Sequence, residues 1–227
     1  DTQKIKLSET KNSLPRERTI GGLHGSLIEL LPDLNYETPI LDIGCGTGAW
    51  LERLANRGFT QLHGIDLDIK QFCSERATCS QANLDYDDLG LGNIKFGLIT
   101  SIELVEHLEN PGRLFYHVAR HLDNNGYFLL TTPNIHSLSC RFKFLATGQL
   151  ASFDEKGDQT HIYPVLLNCL NRVLPRHSLK IVQQWGYPTT GSFIYRPSTQ
   201  MISSFLKLFI ASEIEGDTLC MLIQKQH

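Results

Sequence analysis

The chain has 227 residues, 41% of them hydrophobic, and a formal net charge of −3 with both signs spread along it. That length can bury a full core in one domain, and the charge balance gives no basic footprint for a nucleic-acid partner. No apolar run approaches the roughly 20 residues that span a bilayer, and residues 1–15 are too polar for a secretory signal. The six cysteines form no Cys-x-x-Cys pair of the kind that suggests zinc or a disulfide framework, so the expectation is a reduced, cytoplasmic protein.

Residues 1–13 are polar and read as a frayed end, and 14–34 as a helical cover, amphipathic over Arg16–Leu31, interrupted at Gly21-Gly22 and closed by Pro32. From Pro39 onward apolar runs alternate with helix-period segments. The predicted elements are strand 40–44, helix 48–57, strand 61–66, helix 69–77, a weak strand near 78–82, strand 96–102, helix 111–122 and strand 126–132. Such alternation predicts right-handed βαβ crossovers around a parallel sheet. The rhythm then breaks over 134–162, a stretch rich in Ser, Phe, Gly and charge that reads as a substrate-side insertion. A helix over Tyr163–Val173, a strand over 179–185, an apolar helix over 199–211 and a last strand over Thr218–Lys225 complete a single α/β domain expected to occupy 1–227.

The chemistry is concentrated at strand ends, where open α/β sheets bind ligands. Ile40-Leu41-Asp42-Ile43-Gly44-Cys45-Gly46-Thr47-Gly48 is an apolar strand followed by a glycine turn and a helix. Gly44 and Gly46 let a ligand lie against bare backbone, and Gly48 lets the helix pack closely on the strand. The next strand ends in Gly64-Ile65-Asp66, placing a carboxylate where it can accept hydrogen bonds from both hydroxyls of a ribose. Gly44-x-Gly46-x-x-Ala49 also satisfies the fingerprint of nicotinamide-binding folds, but Asp42 would repel a pyrophosphate and favour a cation such as a sulfonium.

Leu41 to Gly48 resembles the first motif of class I S-adenosylmethionine-dependent methyltransferases, and Gly64-Ile65-Asp66-Leu67 the second. The resemblance implies a Rossmann-like, mostly parallel seven-stranded sheet with helices on both faces and a reversed last strand. It also implies S-adenosylmethionine as methyl donor and S-adenosylhomocysteine as product. Asp42, Gly44, Gly46, Asp66, Leu67 and Ile102 fall at cofactor positions, and Asn83 and Leu84 match the position where a polar side chain meets the adenine amino group and the next residue packs on the ring.

The fourth strand ends in Ser101-Ile102-Glu103-Leu104-Val105-Glu106-His107. If Glu-x-x-Glu-His forms a helical turn, its two carboxylates and imidazole share a face. The pattern is similar to the ubiquinone-pathway O-methyltransferases and to the 2′-O-methyltransferases of small-RNA 3′ ends; in the latter, Glu, Glu and His bind metal with a later His. His161, in Gly157-Asp158-Gln159-Thr160-His161, is the natural fourth candidate here. Glu103, Glu106, His107 and His161 are therefore candidate ligands for Mg²⁺, Mn²⁺ or Zn²⁺. Without metal, His107 or His161 is the candidate general base, with Glu106 beside it. The alternative is a packed Glu-His pair beneath a metal-free pocket.

In the insertion, Phe142, Phe144 and Phe153 could exclude water, while His136, Arg141 and Lys143 could meet an anionic or polyhydroxyl acceptor. The resulting reading is methyl transfer to an oxygen, or less readily a nitrogen, of a small molecule or glycan. Two other classes compete: a noncatalytic cofactor-binding or scaffold protein on the same fold, and a nicotinamide-dependent oxidoreductase.

Overall fold

The computed structural model of the protein describes residues 15–206 and 214–226. A short helix α1 (Leu23–Glu29) precedes strand β1 (Ile40–Ile43), helix α2 (Ala49–Arg57), β2 (Leu62–Asp66), β3 (Thr78–Gln81) and β4 (Phe96–Ile102). Then come α3 (Pro111–His121), β5 (Leu122–Pro133), α4 (Leu138–Thr147), α5 (Leu167–Val173), β6 (Leu179–Tyr187), α6 (Pro197–Leu206) and β7 (Thr218–Lys225).

The strands form one seven-stranded sheet in the order β3-β2-β1-β4-β5-β7-β6. The pairs from β3 through β5 are parallel, and β7 runs antiparallel to both β5 and β6, the reversed last strand that the resemblance implied. The order reverses between β1 and β4, which opens the crevice where α/β sheets take ligands.

Both faces of β1 are covered because its side chains alternate. Leu41 and Ile43 join the cluster that holds Leu114 and Val118 of α3 and Leu170 of α5. Ile40 joins the opposite cluster, with Leu23 and Leu27 of α1 and Trp50, Leu51 and Leu54 of α2.

Four expectations are corrected. The N-terminal helix is confined to Leu23–Glu29; residues 15–22 lie along the surface without helix, with the Thr47 hydroxyl donating to the Arg16 carbonyl at 2.9 Å. The helix expected over 69–77 is only a 3-10 turn at Ile69–Gln71. Beyond it the chain is drawn onto the glycine loop, where Cys73 N donates to Thr47 O at 3.1 Å and the Ser74 hydroxyl donates to Glu52 at 2.7 Å. The insertion contains a true helix, α4, whose buried residues are confined to its first turn, Leu138–Cys140, so it carries little amphipathic signal. The following helix starts only at Leu167, and ahead of it the amides of Ile162 and Tyr163 donate to the Glu106 carbonyl. Of the predicted helix 199–211, residues 207–211 lie outside the described residues.

Gly48 caps α2 with φ +84°, and a Cβ there would lie 2.8 Å from Phe72 Cε2 and 3.0 Å from Ser74 Cβ. Gly48→Ala should therefore destabilise the protein by about 1–3 kcal/mol, measured as a lower urea midpoint. An unchanged midpoint would mean that neither the left-handed backbone nor the close packing is required.

Candidate functional site

A cleft of about 400 Å³ opens at the carboxyl ends of β1, β2 and β4. Its walls are the loop from Gly44 to Thr47, Asp66, Ile102 and Glu103, together with Arg16, Arg18 and Thr19 from the N-terminal segment. Asp158 and Thr160 of the insertion and His107 close another side.

The loop is placed by hydrogen bonds to β2. Gly44 N and Cys45 N donate to the Ile65 carbonyl at 2.7 and 3.1 Å. Gly46 N donates to Asp66 Oδ2 at 2.7 Å, and Asp68 N donates to Asp66 Oδ1 at 2.9 Å. These bonds orient the carboxylate, and each oxygen retains acceptor capacity for a ligand hydroxyl. Among the described residues other than its chain neighbours, nothing lies within 4 Å of where a Cβ on Gly46 would stand.

Two further carboxyl groups face this space. Asp42 is 3% exposed and accepts from the Thr100 hydroxyl at 2.7 Å. Burial pushes its pKa up to about 7, against the Thr100 hydrogen bond and aided by the nearby Asp66 charge. Glu103 is likewise pushed up to about 7 by burial, opposed by the Thr131 hydroxyl, which donates to its Oε1 at 2.9 Å. Trp50 and His24 also line the cleft, and their rings meet edge to face at 5.4 Å. Burial lowers the His24 pKa to about 4, so its 3.5 Å contact with Glu17 is not an ion pair at neutral pH.

Beyond β4 the expected helical turn is a 3-10 turn limited to Val105–His107. Glu103 stands outside it with φ 49°, and so does not share the face of Glu106 and His107 as the spacing had suggested. The insertion reaches this turn by strapping itself to the Glu106 carbonyl, which accepts from Ile162 N at 2.8 Å and Tyr163 N at 2.9 Å. His161 is thereby laid against His107, ring centroids 4.7 Å apart. One potential ligand atom from each of Glu106, His107 and His161 lies within 4.8 Å of the others.

The Glu106 carboxyl is fully buried, and among the described residues none makes a well-formed hydrogen bond to either oxygen. Burial and then the Glu103 charge push its pKa well up, against smaller opposing pulls from its own amide and from Thr132. His107 is lowered by burial and by His161, which keeps its imidazole neutral. His161 Nδ1 faces the Ser152 carbonyl at 2.9 Å; since a carbonyl only accepts, that nitrogen carries the proton and Nε2 the lone pair.

The structure thus gathers Asp42, Gly44, Gly46, Asp66 and Ile102 around one cleft, with Glu106, His107 and His161 at its edge. It separates others. Glu103 lines the cleft but falls outside the three-residue ligand group, so the four-ligand set reduces to three. Leu67 is 59% exposed and does not line the cleft. Asn83 Oδ1 accepts from Asp85 N at 3.0 Å, Leu84 is 5% exposed within the core, and neither lines the cleft. His136 Nε2 lies 3.2 Å from both the Val165 carbonyl and the Leu167 amide nitrogen, donating to the first or accepting from the second according to its tautomer, and Lys143 pairs with Asp154; neither side chain lines the cleft. Sequence reasoning missed Thr19, His24, Trp50, Asp158 and Thr160. Asp158 and Thr160 stand in the same short run as His161, whereas nothing in the local sequence marks His24.

The pattern of a methyltransferase domain matches residues 16–204. The chain therefore belongs to the methyltransferase domain family, and its sheet is that of the class I S-adenosylmethionine-dependent enzymes. The ubiquinone biosynthesis O-methyltransferase of Photobacterium profundum is 28% identical over 130 residues, 54% of this chain and 55% of the relative. That of Bartonella quintana is 25% identical over 189 residues, 79% and 74% of the two chains. The chain spans about half the length of the first of these curated relatives. Among solved structures, an S-adenosylmethionine-dependent methyltransferase from Mesorhizobium loti superposes with a TM-score of 0.59 at 18% identity, covering 88% of this chain and 96% of that one. One from Archaeoglobus fulgidus gives 0.60 at 19%, covering 89% and 92%. These superpositions bear on the fold, and the family match sets aside the nicotinamide-dependent reading.

The raised carboxyl groups give the cleft a pH-dependent preference for cations. As pH rises through about 7, Asp42 and Glu103 ionise, and a sulfonium held in the cleft would be attracted where the neutral sulfur of S-adenosylhomocysteine would not. Between about pH 6 and about pH 8, binding of S-adenosylmethionine should strengthen relative to S-adenosylhomocysteine by at least about threefold, and less in Asp42→Asn. A ratio that stays flat with pH would contradict this assignment of charge.

Proposed function

We propose that this chain transfers the methyl group of S-adenosylmethionine to a hydroxyl oxygen of a small-molecule or glycan acceptor. The observation that carries the reading is the convergence of Glu106, His107 and His161 at the edge of the cleft bounded by Asp66 and the glycine loop. The ubiquinone O-methyltransferase relatives support an oxygen acceptor on a small molecule. The free cysteines, among them Cys45 and Cys79 in contact at 3.4 Å without a bond, fit a cytoplasmic setting. Among the described residues no helix is long and apolar enough to cross a membrane.

In this reading Asp66 holds the ribose hydroxyls, and the bare backbone at Gly46 admits the methionine part of the donor. Asp42 and Glu103, once ionised, favour the sulfonium in the ground state, and the largest catalytic contribution is alignment of acceptor oxygen, methyl carbon and sulfur. His107, kept neutral, receives the acceptor's proton as the new O–C bond forms and the C–S bond breaks.

The residues also fit a divalent metal. A fully buried carboxyl with no well-formed hydrogen bond is costly alone, and two imidazoles beside it complete a carboxylate and histidine ligand set. Glu106, His107 and His161 would hold the ion, which supplies positive charge that lowers the pKa of a nearby hydroxyl. In that case His107 serves as ligand instead of base.

Methyl transfer to a catechol or polyhydroxyl acceptor should fall at least about tenfold in excess chelator, recover with a divalent ion, and lose its metal response in Glu106→Ala. Full activity in chelator would reject the metal and leave His107 as the base. Absence of methyl transfer across small-molecule and glycan hydroxyl acceptors, with metal supplied, would contradict the reading itself.

A further inference from the structure

The part of the insertion that faces His107 is built from groups whose proton-donating roles can be deduced. Thr160 Oγ1 lies 2.8 Å from His107 Nδ1 and 2.6 Å from Asp158 Oδ1. The same Asp158 oxygen accepts from Thr160 N at 2.9 Å, and the Thr160 carbonyl lies 3.2 Å from His107 Nδ1. The Thr160 hydroxyl and amide hold the Asp158 carboxyl below the usual carboxylate range, so it is ionised and only accepts.

A hydroxyl has one proton to give. The Thr160 proton goes to Asp158, and its oxygen then accepts from His107 Nδ1–H. The Thr160 carbonyl, another pure acceptor, requires the same proton on Nδ1. Both constraints place the lone pair of His107 on Nε2. Free histidine favours the opposite tautomer, with the proton on Nε2, so the preference seen here must be imposed by these neighbours. Asp158 and Thr160 also line the cleft with His107, which puts the tautomer under the control of a segment that touches the ligand space.

We propose that Asp158 and Thr160 are positioning residues that lock His107 in the Nδ1–H tautomer, leaving Nε2 unprotonated for methyl transfer. The proposal rests on the reading of His107 given above, whether Nε2 takes the acceptor's proton or binds a metal. Neither residue reacts itself; each acts by fixing which nitrogen of His107 can.

Long-range ¹H–¹⁵N spectra of the full chain labelled at histidine, recorded with chelator at a pH where imidazole is neutral, read the tautomer directly. In the wild type, His107 Nδ1 should be protonated and Nε2 bare. Thr160→Ser should preserve both the pattern and kcat. Asp158→Ala frees the Thr160 hydroxyl to donate to Nδ1, and Thr160→Val removes the shorter acceptor; each should move His107 toward the Nε2–H form. Each should also lower kcat by about tenfold, with KM changing less. Should Asp158→Ala fail to fold, the Thr160 pair alone decides the matter.

A bare Nδ1 in the wild type would overturn the proposal, as would an unchanged tautomer in both variants. A shifted tautomer with undiminished kcat would overturn it too, because the lock would then be irrelevant to the reaction. The tautomer is read without donor, acceptor or metal. The expected spectra from a chain with no methyltransferase activity would therefore locate the failure in the functional reading and not in the hydrogen-bond assignment.

Discussion

Two amides of the glycine loop, Gly44 and Cys45, share one acceptor, the Ile65 carbonyl near the end of β2. This shared acceptor fixes where the chain leaves β1, and the rest of the site follows from it. With the loop held there, Gly46 N reaches the Asp66 carboxylate, Gly48 starts α2 under Phe72, and the bare backbone of the loop becomes the floor of the cleft. The parallel pairing of β1 with both β2 and β4 then places the end of β4 beside that floor, bringing Ile102 and Glu103 to it.

The electrostatics of the site run against folding alone. Asp42, Glu103 and Glu106 are withdrawn from water, and burial raises all three pKa values. Groups that resist ionisation in the free protein are stabilised as anions by an arriving cation, so a fold that tolerates them is suited to positively charged ligands. Under the proposed function the sulfonium of the donor meets Asp42 and Glu103, and a divalent ion meets Glu106. The insertion contributes the remaining element: hydrogen-bonded to the Glu106 carbonyl, it brings His161 against His107 beyond the end of β4.

The βαβ alternation, the glycine turn and the reversed last strand were legible in the sequence because each leaves a local trace: period, glycine placement or a family motif. The elements that were misread are governed by distant contacts. Beyond Gln71 the chain is held instead by Thr47 and Glu52, and Tyr163 is held to the Glu106 carbonyl ahead of its helix. α4 was invisible because its exposed turns impose no apolar period. At the site, Glu106, His107 and His161 were found from chemistry and spacing, although the helical turn used to argue for them is a short 3-10 turn that excludes Glu103. Glu103 left the group for that reason: its left-handed backbone turns it toward Thr131, a choice that spacing cannot encode. Asn83 and Leu84 were carried over from a family position; here Asn83 Oδ1 caps its own turn, Leu84 packs in the core, and neither lines the cleft.

The central claim is that the cleft beside Asp66 is the donor site. Calorimetric titration of S-adenosylhomocysteine into the wild type and Asp66→Ala tests it most directly. Binding to the wild type should be saturable at one site, and binding to a folded Asp66→Ala at least about tenfold weaker, the loss expected when hydrogen bonds to a charged group worth about 1.5–3 kcal/mol are removed. Wild-type affinity in the folded variant, or no binding to either protein, would contradict it.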